Sequence, residues 1–486
     1  MRVRDRADRV RDRWAECSQR AQHALALGWF AAPAHGAEDR RLIDHHDAHL
    51  GRESVGRRLH EVAVEAEQRL DVAAKREETP QDPVNSVKPS MDDCATGPPV
   101  TTGSIVSSLF RVVFGKGAGR MRLSVLVAMA VVLAAPAYAQ VSPCLVADAS
   151  CKESLAVGQS SFWYFRSYSL QAPNPNITRA VIVMHGLERN APDYFKAVVT
   201  ALRNDLDPSL VVIAPHFKGF VRNSPTCNDP LLEAVELHWS CTGQGSVNRW
   251  DDGGQARDTG SDMIYSFSMI DRLVDILNDS SLFPNLAKIT ITGHSDGGQF
   301  TQRYAAGNQR DGAIAASVKY VIANPGSYMY LDNGRLMKGA TCSESGTCTA
   351  EFTPNWDPDN ECPDTYNNYK YGLDGRTFGY MSSDQPGFSD DEVRSRFTSR
   401  AVAYLAGEND QLNNAQFDTS CAANAQGSHL AADGSGLVGG RRERGTIFWN
   451  YMRQLGASPT LTIVPSCGHD PVCMYSADET IRAILF

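Results

Sequence analysis

The sequence predicts an α/β fold with a mostly parallel central sheet and helices on both of its faces. Three observations lead to this prediction. Short apolar runs rich in β-branched residues alternate along the chain with segments of helical periodicity. Most of these runs are continuous, without interspersed polar residues, which is typical of strands buried on both faces of a sheet. Polar, glycine-containing segments follow several of the runs, and ligands of parallel sheets bind at the carboxyl ends of strands.

The predicted elements begin after residue 160. The first strand should be antiparallel, because its aromatic residues alternate with polar ones, and the later strands should be buried. The predicted strands are Ser161–Leu170, Arg179–Met184, Leu210–Ala214, Ile289–Thr292, Ser317–Ala323, Ala401–Leu405 and Thr460–Val464. The predicted helices are Ala191–Leu206, Met263–Leu277, the residues after Gly298, and Ala477–Leu485. Residues 217–260 show no regular period.

The N-terminal part of the chain has the features of a leader followed by a targeting segment. Residues 1–120 are rich in Arg, Ala, Asp and Glu, and we expect no chemistry from them, whether translation starts at Met121 or they form a disordered leader. Residues 121–139 have a basic start, an apolar core and an Ala-x-Ala end, which is typical of a secretory signal peptide cleaved after Ala139. An uncleaved membrane anchor is the alternative, although the apolar run is shorter than the ~20 residues of a spanning helix. Residues 140–486 should then form one domain.

The cysteines indicate an oxidising compartment. The chain has 12 cysteines, and the even number that remains after residue 140 is typical of a secreted or periplasmic protein with disulfides. Sequence leaves the connectivity open. The short spacings favour Cys144–Cys151, Cys227–Cys241, Cys342–Cys348 and Cys467–Cys473, which leaves Cys362–Cys421. None of the ten shows the paired Cys-x-x-Cys spacing of a zinc site, so we expect no metal.

The charge distribution disfavours nucleic acid as a partner. The formal net charge is −9, and Lys and Arg are scattered after residue 140. Phosphate binding needs a concentrated basic patch, which this distribution does not provide.

The pentapeptide Gly293-His294-Ser295-Asp296-Gly297 lies between a predicted strand and a predicted helix. Such a turn holds its central residue in a strained conformation, and the glycines leave the space that the turn needs. The segment resembles the nucleophile elbow of the α/β-hydrolase family. The resemblance implies the α/β-hydrolase fold, with Ser295 projecting at the top of the sheet beside the amides of a helix N-terminus.

A serine nucleophile needs a base that is oriented by a third group, and the family order is Ser, then Asp or Glu, then His. Asp410 matches the family's acid in a Gly-x-x-Asp segment after a predicted strand, with Glu408 and Asp418 as the alternatives. His469 follows the last predicted strand in a Gly-His pair, where the family has its base. The resemblance therefore implies that Ser295, Asp410 and His469 are catalytic.

The resemblance also implies an oxyanion hole with two N–H donors. One should be the amide of Asp296, and the other that of Leu187 in a His-Gly-x segment that contains Gly186. Asp296 is unusual, because a carboxylate beside a developing negative charge is unfavourable unless it turns away or is paired. We expect His294 to serve packing or hydrogen bonding, and His216 has no matching family role.

Residues 324–390 form a long insertion rich in tyrosine, and its cysteines could staple it by disulfides. Long ordered loops are usually functional, so the insertion is either a lid or wall with an aromatic face toward the substrate, or a cover for the edge of the sheet. A Ser389–Glu392 capping box should restart a helix at its end.

These features together imply a secreted esterase, loosely similar to polyhydroxyalkanoate depolymerases and feruloyl esterases. The expected substrate is a small-molecule or polymeric carboxylic ester, and no metal or organic cofactor is required by the chemistry. We expect a monomer without stable membrane insertion once the signal is cleaved. A secreted serine peptidase of the same fold and a non-catalytic binding or cell-surface protein are the alternatives.

Overall fold

The computed structural model describes residues 142–202, 208–241, 249–358, 362, 364–377, 379–411, 418, 420–427, 429–430, 437–438 and 440–485. All of them belong to the compact unit Arg122–Phe486. The predictions for residues 1–120, for the signal peptide and for its cleavage site concern residues outside these ranges.

The centre of the unit is an eight-stranded sheet. Its strands are β1 (Lys152–Val157), β2 (Ser160–Arg166), β3 (Arg179–Met184), β4 (Leu210–Pro215), β5 (Lys288–His294), β6 (Ser317–Ala323), β7 (Ala401–Gly407) and β8 (Thr460–Val464). Their spatial order is β1-β2-β4-β3-β5-β6-β7-β8. Strand β2 runs antiparallel to both β1 and β4, and every other neighbouring pair is parallel. The predicted mostly parallel sheet with an antiparallel start is confirmed.

Eight α-helices accompany the sheet within the described ranges. They are α1 (Ala191–Ala201), α2 (Ser266–Leu277), α3 (Asp296–Gly307), α4 (Asp390–Thr398), α5 (Cys421–Asn424), α6 (Arg441–Gln454), α7 (Pro471–Ser476) and α8 (Asp478–Leu485). Three 3₁₀ turns are Ala149–Cys151, Trp250–Asp252 and Asp364–Asn367. Two-residue strands pair Lys218–Gly219 with His238–Trp239, Arg335–Leu336 with Phe352–Thr353, and His429–Leu430 with Leu437–Val438.

Helices cover both faces of the sheet, and each face has its own apolar cluster. Strand β3 shows how one run serves both: Ile182 belongs to the cluster with α2 and α3, and Val183 belongs to the cluster with α1, α7 and α8. Both side chains are fully buried. Burying such a side chain contributes about 1.5–3 kcal/mol, which explains why the strands are continuous apolar runs.

Strand β1 and helix α6 are among the elements that were not predicted. Strand β1 lies at the edge of the sheet, and most of its side chains are only half-buried, so its sequence carries no clear apolar pattern. Helix α6 buries Arg441 and Arg444 along with its aromatic residues. Because arginine on the buried face interrupts the apolar period, the sequence RRERGTIFWNYMRQ does not present a helical stripe.

The five favoured disulfides are all present: Cys144–Cys151, Cys227–Cys241, Cys342–Cys348, Cys362–Cys421 and Cys467–Cys473. Multiple disulfides fit a protein of an extracellular or periplasmic compartment. Within the described ranges, no helix is both long enough and apolar enough to cross a bilayer.

The described residues of the insertion, which spans 324–390, are largely irregular. The insertion ends at the predicted capping box, in which Ser389 and Glu392 bond to each other's backbone amides. Its aromatic residues Tyr328 and Tyr330 are fully buried and pack on Phe448 of α6. These two rings extend the core and do not face a cleft, which favours the interpretation of the insertion as a cover. Phe378, another aromatic residue of the insertion, lies outside the described ranges.

Candidate active site

The turn between β5 and α3 has the strained geometry that its sequence predicts. Ser295 has φ 61° and ψ −124°, a conformation that is costly for a residue with a Cβ. A Cβ on Gly293 would lie 2.1 Å from the carbonyl oxygen of Gly297, and one on Gly297 would lie 2.5 Å from the carbonyl oxygen of His185. Both glycines are therefore required for the chain to turn this sharply.

Ser295, His469 and Asp410 form one chain of hydrogen bonds. The Ser295 hydroxyl lies 2.9 Å from Nε2 of His469, and Nδ1 of the same ring lies 2.8 Å from Oδ2 of Asp410. The three residues follow β5, β8 and β7, so the carboxyl ends of three parallel strands bring them together. Neither alternative acid is engaged in this way, since Glu408 accepts from the Ser466 amide and Asp418 from the Tyr371 hydroxyl.

Asp410 has further partners that the sequence did not identify. Its carboxylate is buried and accepts a hydrogen bond from Nδ2 of Asn324, while Nη1 of Arg441 lies 3.5 Å from its other oxygen. Asn324 also accepts from the Gly407 amide, which ties the ends of β6 and β7 together. Asn324 directly follows β6, and site residues of parallel sheets lie at the carboxyl ends of strands, so its position in the sequence could have indicated it. Arg441 comes from the unpredicted helix α6, and no sequence signal marked it.

The loop that carries His469 is held on both sides. The Cys467–Cys473 disulfide encloses it, and the Asp470 side chain accepts from the Cys473 amide at the start of α7. The carbonyl of Cys467 accepts from the amide of Asn409 at a distance of 2.8 Å. These contacts restrict the positions that the imidazole of His469 can occupy.

Asp296 resolves the difficulty that its sequence position raised, because its carboxylate is paired. Oδ2 lies 3.2 Å from Nη2 of Arg249, and Oδ1 accepts from the side-chain amide of Gln299 at 2.7 Å. Burial raises the pKa of Asp296 to about 6, the negative charge of Asp251 adds to this, and Arg249 opposes it. The Arg249 guanidinium thus offsets the charge that would otherwise lie beside the nucleophile.

The loop after β3 approaches the nucleophile closely. A Cβ on Gly186 would lie 3.6 Å from that of Ser295. The preceding His185 is buried, its Nε2 accepts from the Phe217 amide, and its Nδ1–H donates to the carbonyl of Gly186. Burial lowers the pKa of His185 to about 3, and the nearby His216 contributes, so this imidazole is neutral. The hydrogen bonds assign its tautomer.

His294 is buried, as expected for a packing and hydrogen-bonding role. Its Nδ1 lies 3.2 Å from the Tyr194 hydroxyl, and its ring centroid lies 4.6 Å from that of His469. Burial, followed by the charges of His469 and Arg441, lowers its pKa well below the usual value. His216 donates from Nε2 to the carbonyl of Arg189 at 2.9 Å. Among the described residues, no group of three or more His, Cys, Asp or Glu side chains is arranged to hold a metal ion.

Solved structures of several hydrolases are distantly similar to this chain. No protein-family model and no curated protein matches the sequence. A poly(3-hydroxybutyrate) depolymerase from Bordetella parapertussis is similar in structure, with 19% identity, a TM-score of 0.40 and coverage of 65% of this chain and 81% of that one. Poly(aspartic acid) hydrolase-1 from Sphingomonas sp. KT-1 is 18% identical, with a TM-score of 0.41 and coverage of 69% of this chain and 97% of that one. An S-formylglutathione hydrolase from Agrobacterium tumefaciens is 13% identical, with a TM-score of 0.32 and coverage of 68% of this chain and 93% of that one.

At these identities and TM-scores the similarities carry no argument of their own. The assignment of the fold rests on the strand order, on the antiparallel second strand, and on the tight turn at Ser295 between β5 and α3. On these grounds the chain has the α/β-hydrolase fold.

Proposed function

We propose that this chain is a secreted serine hydrolase that cleaves carboxylic esters through a Ser295–His469–Asp410 triad. The observation that carries the proposal is the continuous chain of hydrogen bonds from the Ser295 hydroxyl through the imidazole to the buried carboxylate. A serine hydroxyl becomes a competent nucleophile when a base lies within hydrogen-bond reach and a third group orients that base. Both conditions are met by His469 and Asp410, which follow the ends of strands β8 and β7.

In the proposed acylation step, Oγ of Ser295 attacks the ester carbonyl carbon while Nε2 of His469 takes the hydroxyl proton. Asp410 accepts from Nδ1–H, keeps the imidazole in the required tautomer and stabilises the imidazolium. The imidazolium then gives its proton to the leaving alcohol as the C–O bond breaks. In deacylation a water takes the place of the alcohol, and its oxygen attacks the acyl carbon while Nε2 of His469 takes a proton from it. The bond from the acyl carbon to Oγ of Ser295 then breaks, the imidazolium returns the proton to Oγ, and the carboxylic acid is released.

The proposed oxyanion donors are the backbone amides of Asp296 and Leu187. The amide of Asp296 is the first of helix α3, whose N-terminus favours negative charge. Leu187 follows Gly186, whose close approach to Ser295 supports its role. The pairing of the Asp296 side chain with Arg249 removes the main objection to this assignment.

Secretion or periplasmic export is supported by the five disulfides, which are stable in oxidising compartments. The signal-like residues 121–139 and the Ala139 cleavage site remain part of the proposal. The proposed substrate is a small-molecule or polymeric ester, and the mechanism requires no metal or organic cofactor.

The test is a panel of nitrophenyl esters of increasing acyl length, feruloyl esters, polyester films and peptide substrates. Wild type and Ser295→Ala are compared on each, and a fluorophosphonate probe reports the reactivity of Ser295. We expect ester turnover that is lost in Ser295→Ala, with little change in unfolding, and labelling of wild type only. An active Ser295→Ala variant would overturn the triad, faster cleavage of peptides would favour a peptidase, and an unlabelled, inactive wild type would favour a binding protein.

A further inference from the structure

The peptide that carries the Leu187 amide is held through its carbonyl oxygen. This oxygen belongs to Gly186, and it accepts from the backbone N–H of Arg189 and from Nδ1–H of His185, each at 3.0 Å. The C=O and N–H of a trans peptide point in opposite directions. Two donors on the carbonyl of Gly186 therefore fix the direction in which the N–H of Leu187 points.

The turn closes on Arg189, a non-glycine residue with φ 57°. This left-handed conformation is unfavourable for arginine and persists only where the surroundings determine it. The carbonyl of Arg189 accepts from Nε2 of His216, and its side chain folds back so that Nη1 donates to the carbonyl of Leu187 at 2.9 Å. The two peptides that flank Leu187 are thus both held by contacts of Arg189.

The guanidinium of Arg189 is in turn anchored to a second segment. Nε and Nη2 donate to the two oxygens of Asp229 at 2.6 and 3.1 Å, a bidentate pair with both side chains mostly buried. Oδ2 of Asp229 also accepts from the amide of Gly219 at 2.7 Å. Burial acts to raise the pKa of Asp229, but the hydrogen bonds from Arg189 and Gly219 outweigh it, and the pKa lies below its usual value. The carboxylate is ionised at neutral pH.

The guanidinium occupies space that only a glycine at position 219 leaves open. A Cβ on Gly219 would lie 2.7 Å from Nε of Arg189 and 2.0 Å from Sγ of Cys241. Asp229 follows Cys227 by two residues, and Cys227 is disulfide-bonded to Cys241. The anchor of the guanidinium is therefore a covalently closed segment that does not belong to the central sheet.

We propose that Arg189 and Asp229 are positioning residues that preorganise the Leu187 amide as an oxyanion donor. The inference rests on the proposed function and deepens it, because it assigns to this pair the alignment of a donor that stabilises the transition state. The hydrogen bonds of the pair go to the turn and to the segment of Asp229, and none of them involves Ser295, His469 or Asp410. Its loss should lower kcat and leave the ground-state binding of substrate unchanged.

The test compares Arg189→Met, Arg189→Lys and Asp229→Asn with wild type on one nitrophenyl ester. The matched control is Arg310→Met, which removes the exposed pair of Arg310 with Asp275. We expect kcat to fall about 10- to 100-fold in Arg189→Met, less than complete loss of a donor, with KM within about threefold. Arg189→Lys keeps the positive charge but loses the bidentate contact with Asp229, so its kcat should be intermediate. The control should behave as wild type.

An arylboronic acid supplies a readout that a purely structural role would not move, because its tetrahedral adduct with Ser295 places an oxygen in the oxyanion hole. Its affinity should fall by the same factor as kcat across the series. Circular dichroism and thermal unfolding establish whether each variant is folded. If Arg189→Met does not fold, Arg189→Lys and Asp229→Asn carry the comparison.

The proposed role of Arg189 and Asp229 is overturned if folded variants keep wild-type kcat, if only KM changes, or if kcat falls while boronate affinity is unchanged. These outcomes differ from a failure of the proposed function, in which Ser295→Ala itself would remain active.

Discussion

Replacing Asp410 with asparagine is expected to damage both catalysis and stability, for separable reasons. The amide cannot hold the imidazole of His469 in the tautomer that leaves Nε2 free to accept the proton of Ser295. A loss in kcat on the order of 10³- to 10⁴-fold is expected from the removal of an orienting carboxylate. The effect should appear in kcat, measured by nitrophenyl ester hydrolysis with saturating substrate.

The effect on stability follows from the burial of Arg441. Nη1 of Arg441 lies 3.5 Å from Oδ1 of Asp410, and each side chain is 2% exposed. Burial lowers the pKa of Arg441, and Asp410 is the largest opposing charge. At this distance and an effective dielectric of about 20, the attraction is about 4–5 kcal/mol. Because Asp410→Asn removes the largest charge that opposes the burial of the Arg441 guanidinium, it should lower the free energy of unfolding by about 3 kcal/mol.

A second variant separates the two effects. In Asp410→Asn/Arg441→Met the guanidinium that has lost its nearest carboxylate is gone as well, so most of the lost stability should return while kcat stays low. Denaturant unfolding, followed by tryptophan fluorescence, measures the difference. Asp391→Asn, which breaks the exposed pair with Arg394, is the control and should change stability by no more than about 0.5 kcal/mol. The reasoning is refuted if the free energy of unfolding of Asp410→Asn lies within about 1 kcal/mol of that of wild type. It is also refuted if the double variant is no more stable than the single one.

Two further predictions concern the loop of His469 and a buried carboxyl. Replacing the cysteines of Cys467–Cys473 with serines and, in a separate variant, those of Cys342–Cys348 should each lower the free energy of unfolding by about 2 kcal/mol, because both disulfides close a separation of 6 residues. Only the loss of Cys467–Cys473 should lower kcat. Equal kcat in the two variants would contradict a role of this disulfide in holding His469. Burial raises the pKa of Glu443 to about 7, and Arg444 opposes this shift. The folded state therefore holds a proton that the unfolded state releases from about pH 4.5 upward, so stability should fall as the pH rises toward 7. Glu443→Gln should remove this decline and be more stable than wild type at pH 8 by about 2 kcal/mol, since the side chain keeps partial solvent access; parallel pH–stability curves for the two proteins would contradict the assignment.

Much of the fold could be predicted because local sequence is informative where both faces of a strand are buried. Strands β3 and β6 have the predicted bounds, since most of their side chains are apolar and fill the two apolar clusters. Strand β8 lies at the edge of the sheet and is mostly half-buried, but it also has the predicted bounds because its sequence TLTIV is rich in β-branched residues. The edge strand β1 faces solvent in part and was missed. Helix α6 was missed because its buried arginines are stabilised by partners distant in sequence, and no local period records them.

The sequence by itself indicated the residues of the candidate site, because the strand–turn–helix at Ser295 and the polar residues after two later strands are local patterns. Only the tertiary structure decided how they are supported. Asn324 and Arg441 reach Asp410 across many residues of chain, Arg249 neutralises Asp296, and Arg189 bonds to Asp229 beyond the sheet. Charge pairs of this kind depend on distance and burial in space, and neither quantity is encoded in the spacing of residues along the chain.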